Sequence, residues 1–245
     1  MNHYIIKKIE KIDSTNTELK RLASLGEPSG TVLLAHCQTA GRGRLGRQFF
    51  SPAGSGIYMS LLLRPVSLEN AGLITTMAAV AVARALEKIG VSVGIKWVND
   101  LLFDGKKLCG ILAEAGNFNG QPFAVIGIGI NVKKTTLPQE LVPIAISLED
   151  ILKTVPEKDV IVSLILDELA KIDLQDPSDT SSLMDEYRNR SLTVSRWVDV
   201  LPHHGEPYRA FAEHITDDGS LLVRTENGTQ KTVSSGEVSV RADDK

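Results

Sequence analysis

The run Ala124–Val132 reads A-V-I-G-I-G-I-N-V, and it restricts what can be built around it. Its apolar, branched content predicts a strand, and a strand alternates its faces with period two. Ile126, Ile128 and Ile130 then share one face, while Gly127, Gly129 and Asn131 share the other. A sheet holding this strand must cover the isoleucine face with apolar groups and leave the opposite face bare. Glycine within a strand marks a close approach to the backbone. Two occupants suit the bare face: a ligand, for which it is a floor ending in an amide, or a helix crossing the sheet.

A second feature supplies charge. Gln38–Arg47 reads Q-T-A-G-R-G-R-L-G-R and follows Thr31–Cys37, an apolar run that predicts a buried strand. Glycines let such a loop bring backbone N–H groups to a ligand, and its arginines offer planar forks for phosphate or carboxylate oxygens. The loop lacks the G-K-[ST] ending of a Walker loop. Its G-R-G-R-L-G string is a weak dinucleotide fingerprint, and the crowded arginines argue against that assignment. With a net charge of -3 the chain is not a dedicated nucleic-acid binder, so an anion site must be local.

The rest of the chain predicts a mixed α/β unit followed by an all-β tail. Asp13-Ser14-Thr15-Asn16 caps a helix through Glu18–Ser24. Ile57–Leu63 and Val93–Val98 predict further strands. Leu73–Ile89 predicts a long buried helix stopped by Gly90. Asp104-Gly105 between two apolar runs is a hairpin signal. Ser147–Leu174 predicts two helices, the second starting just after Pro156, and Ser178–Arg190 a third. Short alternating segments follow: Val194–Leu201, Tyr208–Ile215, Leu221–Thr225, Lys231–Val233 and Val238–Arg241. Turn signals at His204-Gly205, Asp218-Gly219 and Asn227-Gly228 separate them, which predicts a small barrel or sandwich after a boundary near residue 190. A length of 245 residues allows one large and one small domain. Two cysteines in apolar contexts argue against a disulfide framework and for a reducing cytoplasm. The N-terminal residues lack a signal-peptide core, and no apolar run approaches the ~18 residues of a membrane span. A soluble cytoplasmic protein is expected.

Three further groups invite a chemical reading and a plainer one. In Lys96-Trp97-Val98-Asn99-Asp100, Lys96 suits a phosphate and Asp100 a magnesium ion, or the two form an ion pair at a strand end. Lys107 shares an extended face with Cys109 and Ile111. It needs an anionic partner there, or it snorkels from the strand end. Ser14 and Thr15 cap a helix and also offer hydroxyls to a polar ligand. No nucleophile elbow is present, and His203-His204 lacks the spaced partners of a zinc site.

In order along the chain, D-S-T-N at 13–16, Q-T-A-G-R-G-R-L-G-R at 38–47, K-W-V-N-D at 96–100, K-L-C-G-I-L at 107–112 and G-I-G-I-N at 127–131 resemble the biotin protein ligases. The closing G-E-V-S-V-R at 236–241 is similar to that family's C-terminal segment. The resemblance implies an α+β fold: a mixed-sheet catalytic domain of the biotin/lipoyl-ligase type over 1–190, then a small SH3-like β barrel over 191–245. It implies ATP and biotin as substrates, with Mg²⁺. Biotin's carboxylate attacks the α-phosphorus of ATP, giving biotinyl-5′-AMP and pyrophosphate. A lysine of a biotin carboxyl carrier domain, by family default that of acetyl-CoA carboxylase, then takes the acyl group.

By the same resemblance, Lys107, Arg42 and Arg44 carry the catalysis. Ser14, Thr15, Asn16, Gln38, Gly41, Arg42, Gly43, Arg44, Lys107, Gly110, Gly127 and Gly129 bind biotin. Arg44, Arg47, Phe49, Lys96, Asn99, Asp100, Asn131, Glu237 and Arg241 bind ATP, and Asp100 holds the magnesium. The family usually has proline where Val98 stands, and often tryptophan where Phe49 stands. With D-S-T-N at residue 13 there is no room before it for the DNA-binding domain of some members, so no DNA partner is expected, nor a membrane. Monomers and homodimers both occur in the family. A lipoate–protein ligase or octanoyltransferase is the nearest alternative enzyme, and a sensor that binds without catalysis the alternative outside enzymes.

Overall fold

The computed structural model describes residues 4–66, 71–173, 180–202, 205–234 and 237–240. A seven-stranded sheet has the order β1-β2-β3-β7-β6-β5-β4. Its strands are β1 (Ile5–Ile12), β2 (Thr31–Gln38), β3 (Gly56–Leu63), β4 (Gly94–Lys96), β5 (Asp100–Phe103), β6 (Lys106–Phe118) and β7 (Gln121–Asn131). β1 and β2 run parallel and the remaining pairs antiparallel, so the sheet is mixed. The glycine-containing strand is its central member, paired with β3 on one side and β6 on the other.

The two faces of that strand part as its period requires. Ile126, Ile128 and Ile130 are buried in the main core with α2 (Ala71–Glu87), an almost wholly apolar helix. Gly90 lies just beyond it at φ +84°, the left-handed conformation of a helix stop. Two further helices pack on α2: α4 (Lys158–Leu169) and α5 (Ser181–Asn189). Between β7 and α4 lies α3 (Leu148–Ile151), a single turn closed by a capping box of Ser147 and Asp150. On the opposite face α1 (Thr15–Ala23) sets Leu19 and Ala23 on Leu33, Leu62 and Val125. α1 covers only part of this face, and the remainder is a cleft.

The tail forms a second, fully antiparallel sheet in the order β11-β10-β9-β8-β12. Its strands are β8 (Arg196–Leu201), β9 (Tyr208–Ile215), β10 (Leu221–Thr225), β11 (Gln230–Val233) and β12 (Glu237–Val240). Val198, Val200, Ala210, Ala212, Ile215, Leu221 and Val223 belong to the same continuous apolar cluster as α2 and β7. Polar ties join the sheets as well. The Trp97 indole Nε1 donates to the Gly219 carbonyl at 2.9 Å, and Arg188 Nε to the Ile215 carbonyl at 2.7 Å.

Two elements differ from the sequence reading. The strand expected over Val93–Val98 stops at Lys96, because the Trp97 N–H leaves the sheet and donates to Thr193 Oγ1 at 3.0 Å. The Trp97–Val98 peptide is cis. β1, for which the sequence predicts nothing, is an edge strand with Ile5, Ile6 and Ile9 exposed, so it lacks the one-sided burial that produces alternation. His203, His204 and Arg241 lie outside the described residues. No helix among the described residues is long and apolar enough to cross a membrane.

Ile126→Ala is expected to lower the unfolding free energy by roughly 2–5 kcal/mol, as a fully buried side chain is lost without collapse around it. Urea unfolding measures this; a loss under about 1 kcal/mol would show that the isoleucine face is not the core it is taken for.

Candidate active site

The uncovered part of the sheet is the floor of a cleft of about 790 Å³, within the range of small-molecule sites. Three segments wall it: the N-terminus of α1, the loop after β2, and the segment between β7 and α3. Val238 of β12 reaches it from the second sheet. Arg42, Arg44, Arg47, Lys96, Lys106, Lys107, Lys133 and Lys134 line the cleft, against Asp100 and Asp150 among acids. A chain of net charge -3 thus concentrates positive charge at one concavity, where low-dielectric walls strengthen its attraction for anions.

The floor is bare because of its glycines. A Cβ at Gly129 would stand 2.6 Å from the Phe49 ring, and one at Gly127 would stand 2.2 Å from Asn16 Oδ1. Both readings of the bare face therefore contribute. The helix N-terminus closes over Gly127, while the Phe49 ring lies over Gly129 and the Lys107 side chain, with Phe49 beside it, over Gly110.

Around Gly127 the polar groups satisfy one another. Gln38 Oε1 accepts from the Thr15 N–H at 2.9 Å and from Thr15 Oγ1 at 3.0 Å, and its Nε2 donates to Ser51 Oγ at 2.9 Å. Ser60 Oγ lies 2.8 Å from Thr15 Oγ1 and 2.6 Å from Asn16 Oδ1. Asn16 Nδ2 donates to the Leu112 carbonyl at 3.1 Å and to Glu114 Oε2 at 3.0 Å. Ser14 Oγ accepts from the Thr17 N–H as the helix cap. These atoms fix each other's rotamers, so a ligand meets a preset pattern of donors and acceptors.

The cationic end is organised by β5 and β6. The hairpin between them turns at Asp104 and Gly105, both at positive φ, and brings Lys107 beside Asp100 with Nζ 2.7 Å from Oδ1. Lys107 Nζ also stands 5.9 Å from the Phe49 ring centroid, within cation–π range. The lysine's own peptide is held too. Its N–H donates to the Ile144 carbonyl at 2.8 Å, and its carbonyl accepts from the Ile146 N–H at 3.0 Å and from Asn131 Nδ2 at 3.2 Å. Asn131 bonds the Ile146 carbonyl as well, at 3.1 Å. Asn99 accepts from Arg44 Nη1 at 3.3 Å and donates to the Ile111 carbonyl at 2.9 Å.

The loop after β2 is folded upon itself. Arg42 pairs with Gln48 across a β-bridge, and the Gly43 N–H donates to the Arg47 carbonyl at 2.8 Å. Leu45 at its tip is left-handed and exposed. Gly41 does not line the cleft; it is packed beneath the loop, where its carbonyl accepts from the Phe49 N–H at 2.9 Å. The remaining residues expected in the site from Ser14 to Asn131 all line it. Glu237 is in β12, paired with Leu201 of β8.

Three residues around the site are not singled out by the sequence. Ser60 is the one polar residue in the apolar run of β3 and is fully buried, a signal that was present in the sequence. Glu114 extends the face of Gly110 and Leu112 and carries ion pairs to Lys20 at 2.6 Å and Arg42 at 3.2 Å. Burial raises its pKa, but the hydrogen bonds from Lys20 and Asn16 outweigh that and hold it below the usual carboxylate range. Tyr187 reaches up from α5 to donate to the Val98 carbonyl at 3.0 Å. Burial pushes its phenol well above the usual range.

Asp100 Oδ1 is buried and makes no regular hydrogen bond, although the Lys107 ammonium faces it. Among the described residues no three His, Cys, Asp or Glu side chains come together as a metal cage. A single buried carboxylate oxygen in a cationic cleft suits a magnesium ion that draws its other ligands from phosphates and water.

Residues 9–131 match the family model described as the Biotin/lipoate A/B protein ligase family, and residues 204–241 that of the Biotin protein ligase C terminal domain. The chain is 36% identical over 237 residues to a biotin–[acetyl-CoA-carboxylase] ligase of Mycobacterium tuberculosis, a match covering 94% of this chain and 86% of that one. It is 30% identical over 239 residues to the bifunctional ligase/repressor BirA of Escherichia coli, covering 96% and 73% respectively. The solved structure of a biotin protein ligase from Aquifex aeolicus in complex with biotin and ATP superposes with a TM-score of 0.82 at 28% identity, over 98% of this chain and 99% of that one.

Gly127→Ala is expected to expel Asn16 from its place and cost about 1–3 kcal/mol, the usual penalty of overpacking. Thermal unfolding measures the cost. An unchanged midpoint would mean that the close packing of α1 on Gly127 is not rigid.

Proposed function

The chain belongs to the biotin/lipoate A/B protein ligase family as a biotin protein ligase, and from that premise we propose that its cleft activates biotin with ATP as biotinyl-5′-AMP and delivers the acyl group to a lysine of a biotin carboxyl carrier domain. The observation that carries this reading is the setting of Lys107. Its ammonium lies over Gly110 of the glycine floor, paired with Asp100, in a cleft that the loop arginines also line.

In the first half-reaction a carboxylate oxygen of biotin attacks the α-phosphorus and pyrophosphate departs with the electrons of the broken P–O bond. Two anions must meet, and negative charge grows on the phosphate oxygens. Preorganised cations are the means of stabilising that charge. Lys107 contacts both the carboxylate and the α-phosphate in this reading, and the hydrogen bonds of its peptide group, donating to the Ile144 carbonyl and accepting from the Ile146 N–H, fix the root of its side chain. Arg42 and Arg44 supply planar donors from the loop, with Arg47 and Lys96 toward the phosphates of ATP. Ser14, Thr15, Asn16 and Gln38 present the preset polar pattern to the ring of biotin, and Gly110, Gly127 and Gly129 let it lie on the sheet. Phe49, Asn99 and Asn131 belong to the nucleotide end. Asp100 would supply a carboxylate oxygen to Mg²⁺, which when bound offsets phosphate charge. Glu237 of β12 belongs to the same end in this reading; Arg241 is outside the described residues.

In the second half-reaction the neutral amine of the carrier lysine attacks the acyl carbon, AMP leaves, and the amine proton passes to solvent or phosphate. No enzyme nucleophile is needed. The loop at 41–47 closes over the mixed anhydride and keeps water from it. The name of the Mycobacterium tuberculosis relative supports a carrier domain of acetyl-CoA carboxylase as acceptor. A division into a catalytic part, 1–190, and a C-terminal part, 191–245, and a cytoplasmic location belong to this reading. The start of the second sheet at Arg196 supports the division.

Exchange of labelled pyrophosphate into ATP is expected to require biotin. Lys107→Ala should slow it on the order of 10²–10³-fold with the fold intact, the cost of removing one charge-stabilising donor. Exchange that depends on lipoate or octanoate instead would sink the biotin assignment, and tight biotin binding without exchange would make the protein a sensor. Arg42→Gly should raise the dissociation rate of biotinyl-AMP, followed by filter binding; an unchanged rate removes Arg42 from the adenylate.

A further inference from the structure

Glu114 has no part in the chemistry above, yet it is where the loop touches the sheet through charge. Its Oε1 faces Lys20 Nζ at 2.6 Å and Arg42 Nη2 at 3.2 Å, and its Oε2 accepts from Asn16 Nδ2 at 3.0 Å. The three contacts are unequal. Lys20 and Asn16 are on α1, close in and shielded, with the Lys20 side chain 27% exposed and that of Glu114 16%. Arg42 makes the longest contact, and its side chain is 47% exposed. The charge of Glu114 is therefore offset without Arg42. When the guanidinium leaves, the carboxylate keeps Lys20 and Asn16, and no buried charge is stranded. A contact with that property can be made and broken at small cost, unlike a buried pair, whose separation is expensive.

We propose that Glu114 is a positioning residue for the loop: it holds Arg42 against β6 while no ligand is bound, and competes for the same guanidinium with the phosphate or carboxylate oxygens of the activated intermediate. The proposal rests on the reading of the cleft as a biotinyl-adenylate site. An adenylate phosphate offers two oxygens to the planar fork, whereas Glu114 offers Arg42 one oxygen already shared with Lys20. The exchange therefore runs toward the ligand. Lys20 stays on Glu114 in both states and keeps α1, with its polar groups at Ser14–Asn16, in register.

The loop's arginines make the latch measurable. Limited trypsin digestion of the ligand-free protein reports opening through cleavage after Arg42, Arg44 and Arg47. Glu114→Gln should speed that cleavage about two- to fivefold, the range that a part-exposed ion pair can supply. Arg42→Ala reaches the latch from the loop side without touching the buried carboxylate. It should speed cleavage after Arg44 and Arg47 by the same factor, and the double variant should be no faster than either single one. A non-hydrolysable sulfamoyl analogue of biotinyl-AMP should bind Glu114→Gln about two- to fivefold more tightly than the parent protein by calorimetry. Unchanged cleavage in both single variants overturns the latch, and weaker binding of the analogue by Glu114→Gln overturns the competition. If the parent protein fails to bind the analogue, the reading of the cleft falls. The ligand-free digestion still decides whether Glu114 holds the loop, and the Arg42→Ala arm decides it should Glu114→Gln not fold.

Discussion

The peptide group of Lys107 is bonded on both of its sides. Its N–H goes to the Ile144 carbonyl, and its carbonyl takes the Ile146 N–H and the Asn131 amide. A lysine side chain has four rotatable bonds, and ordering it for a reaction costs up to about 2 kcal/mol of rotamer freedom. In the proposed reaction, fixing its root and giving its ammonium a carboxylate partner at 2.7 Å lowers that cost before a substrate arrives. The neighbouring parts of the molecule serve this placement. The Asp104-Gly105 hairpin aligns β5 with β6 so that Asp100 meets Lys107, and β7 ends on Asn131 at the point where it can bind both carbonyls.

At the other end of the cleft a polar network stands on an apolar sheet, and it is tolerated because its members find partners. Ser60, fully buried in the middle of β3, meets the Thr15 hydroxyl and the Asn16 carboxamide oxygen from α1, so its own hydroxyl is not stranded in hydrocarbon. A glycine opposite Asn16 makes the room. The helix N-terminus is thus locked in place by side chains rather than by apolar contacts alone. That suits a surface that must offer the same donors and acceptors to each incoming molecule.

Much of this was legible in the chain. The alternation of Ala124–Val132 placed its isoleucines in the core and its glycines on the cleft floor, because period two is a property of one strand and needs no knowledge of its neighbours. The apolar continuity of Leu73–Ile89 and the turn residues at 104–105 were local in the same sense. What could not be read were relations between distant segments. Glu114 looks like any solvated acid until α1 and the loop bring Lys20 and Arg42 to it. Tyr187 looks like a core aromatic until its hydroxyl is found under the Val98 carbonyl. β1 escaped for the opposite reason, since both its faces are largely exposed and its pairing with β2 leaves no periodic mark. The early stop of β4 reflects Thr193, nearly a hundred residues away in sequence.

The continuous apolar cluster shared by the two sheets has a thermodynamic consequence. Strands as short as β11 and β12 close too small a core to stand alone, and the small sheet's Val198, Ala210 and Leu221 belong to one apolar cluster with α2 and β7. Loss of the small sheet would uncover its share of that cluster and free the Trp97 indole, whose Nε1 donates to the Gly219 carbonyl. The molecule should accordingly melt as one cooperative unit rather than in two steps. A partly folded form keeping a working cleft without its C-terminal strands would then have no free-energy minimum to occupy.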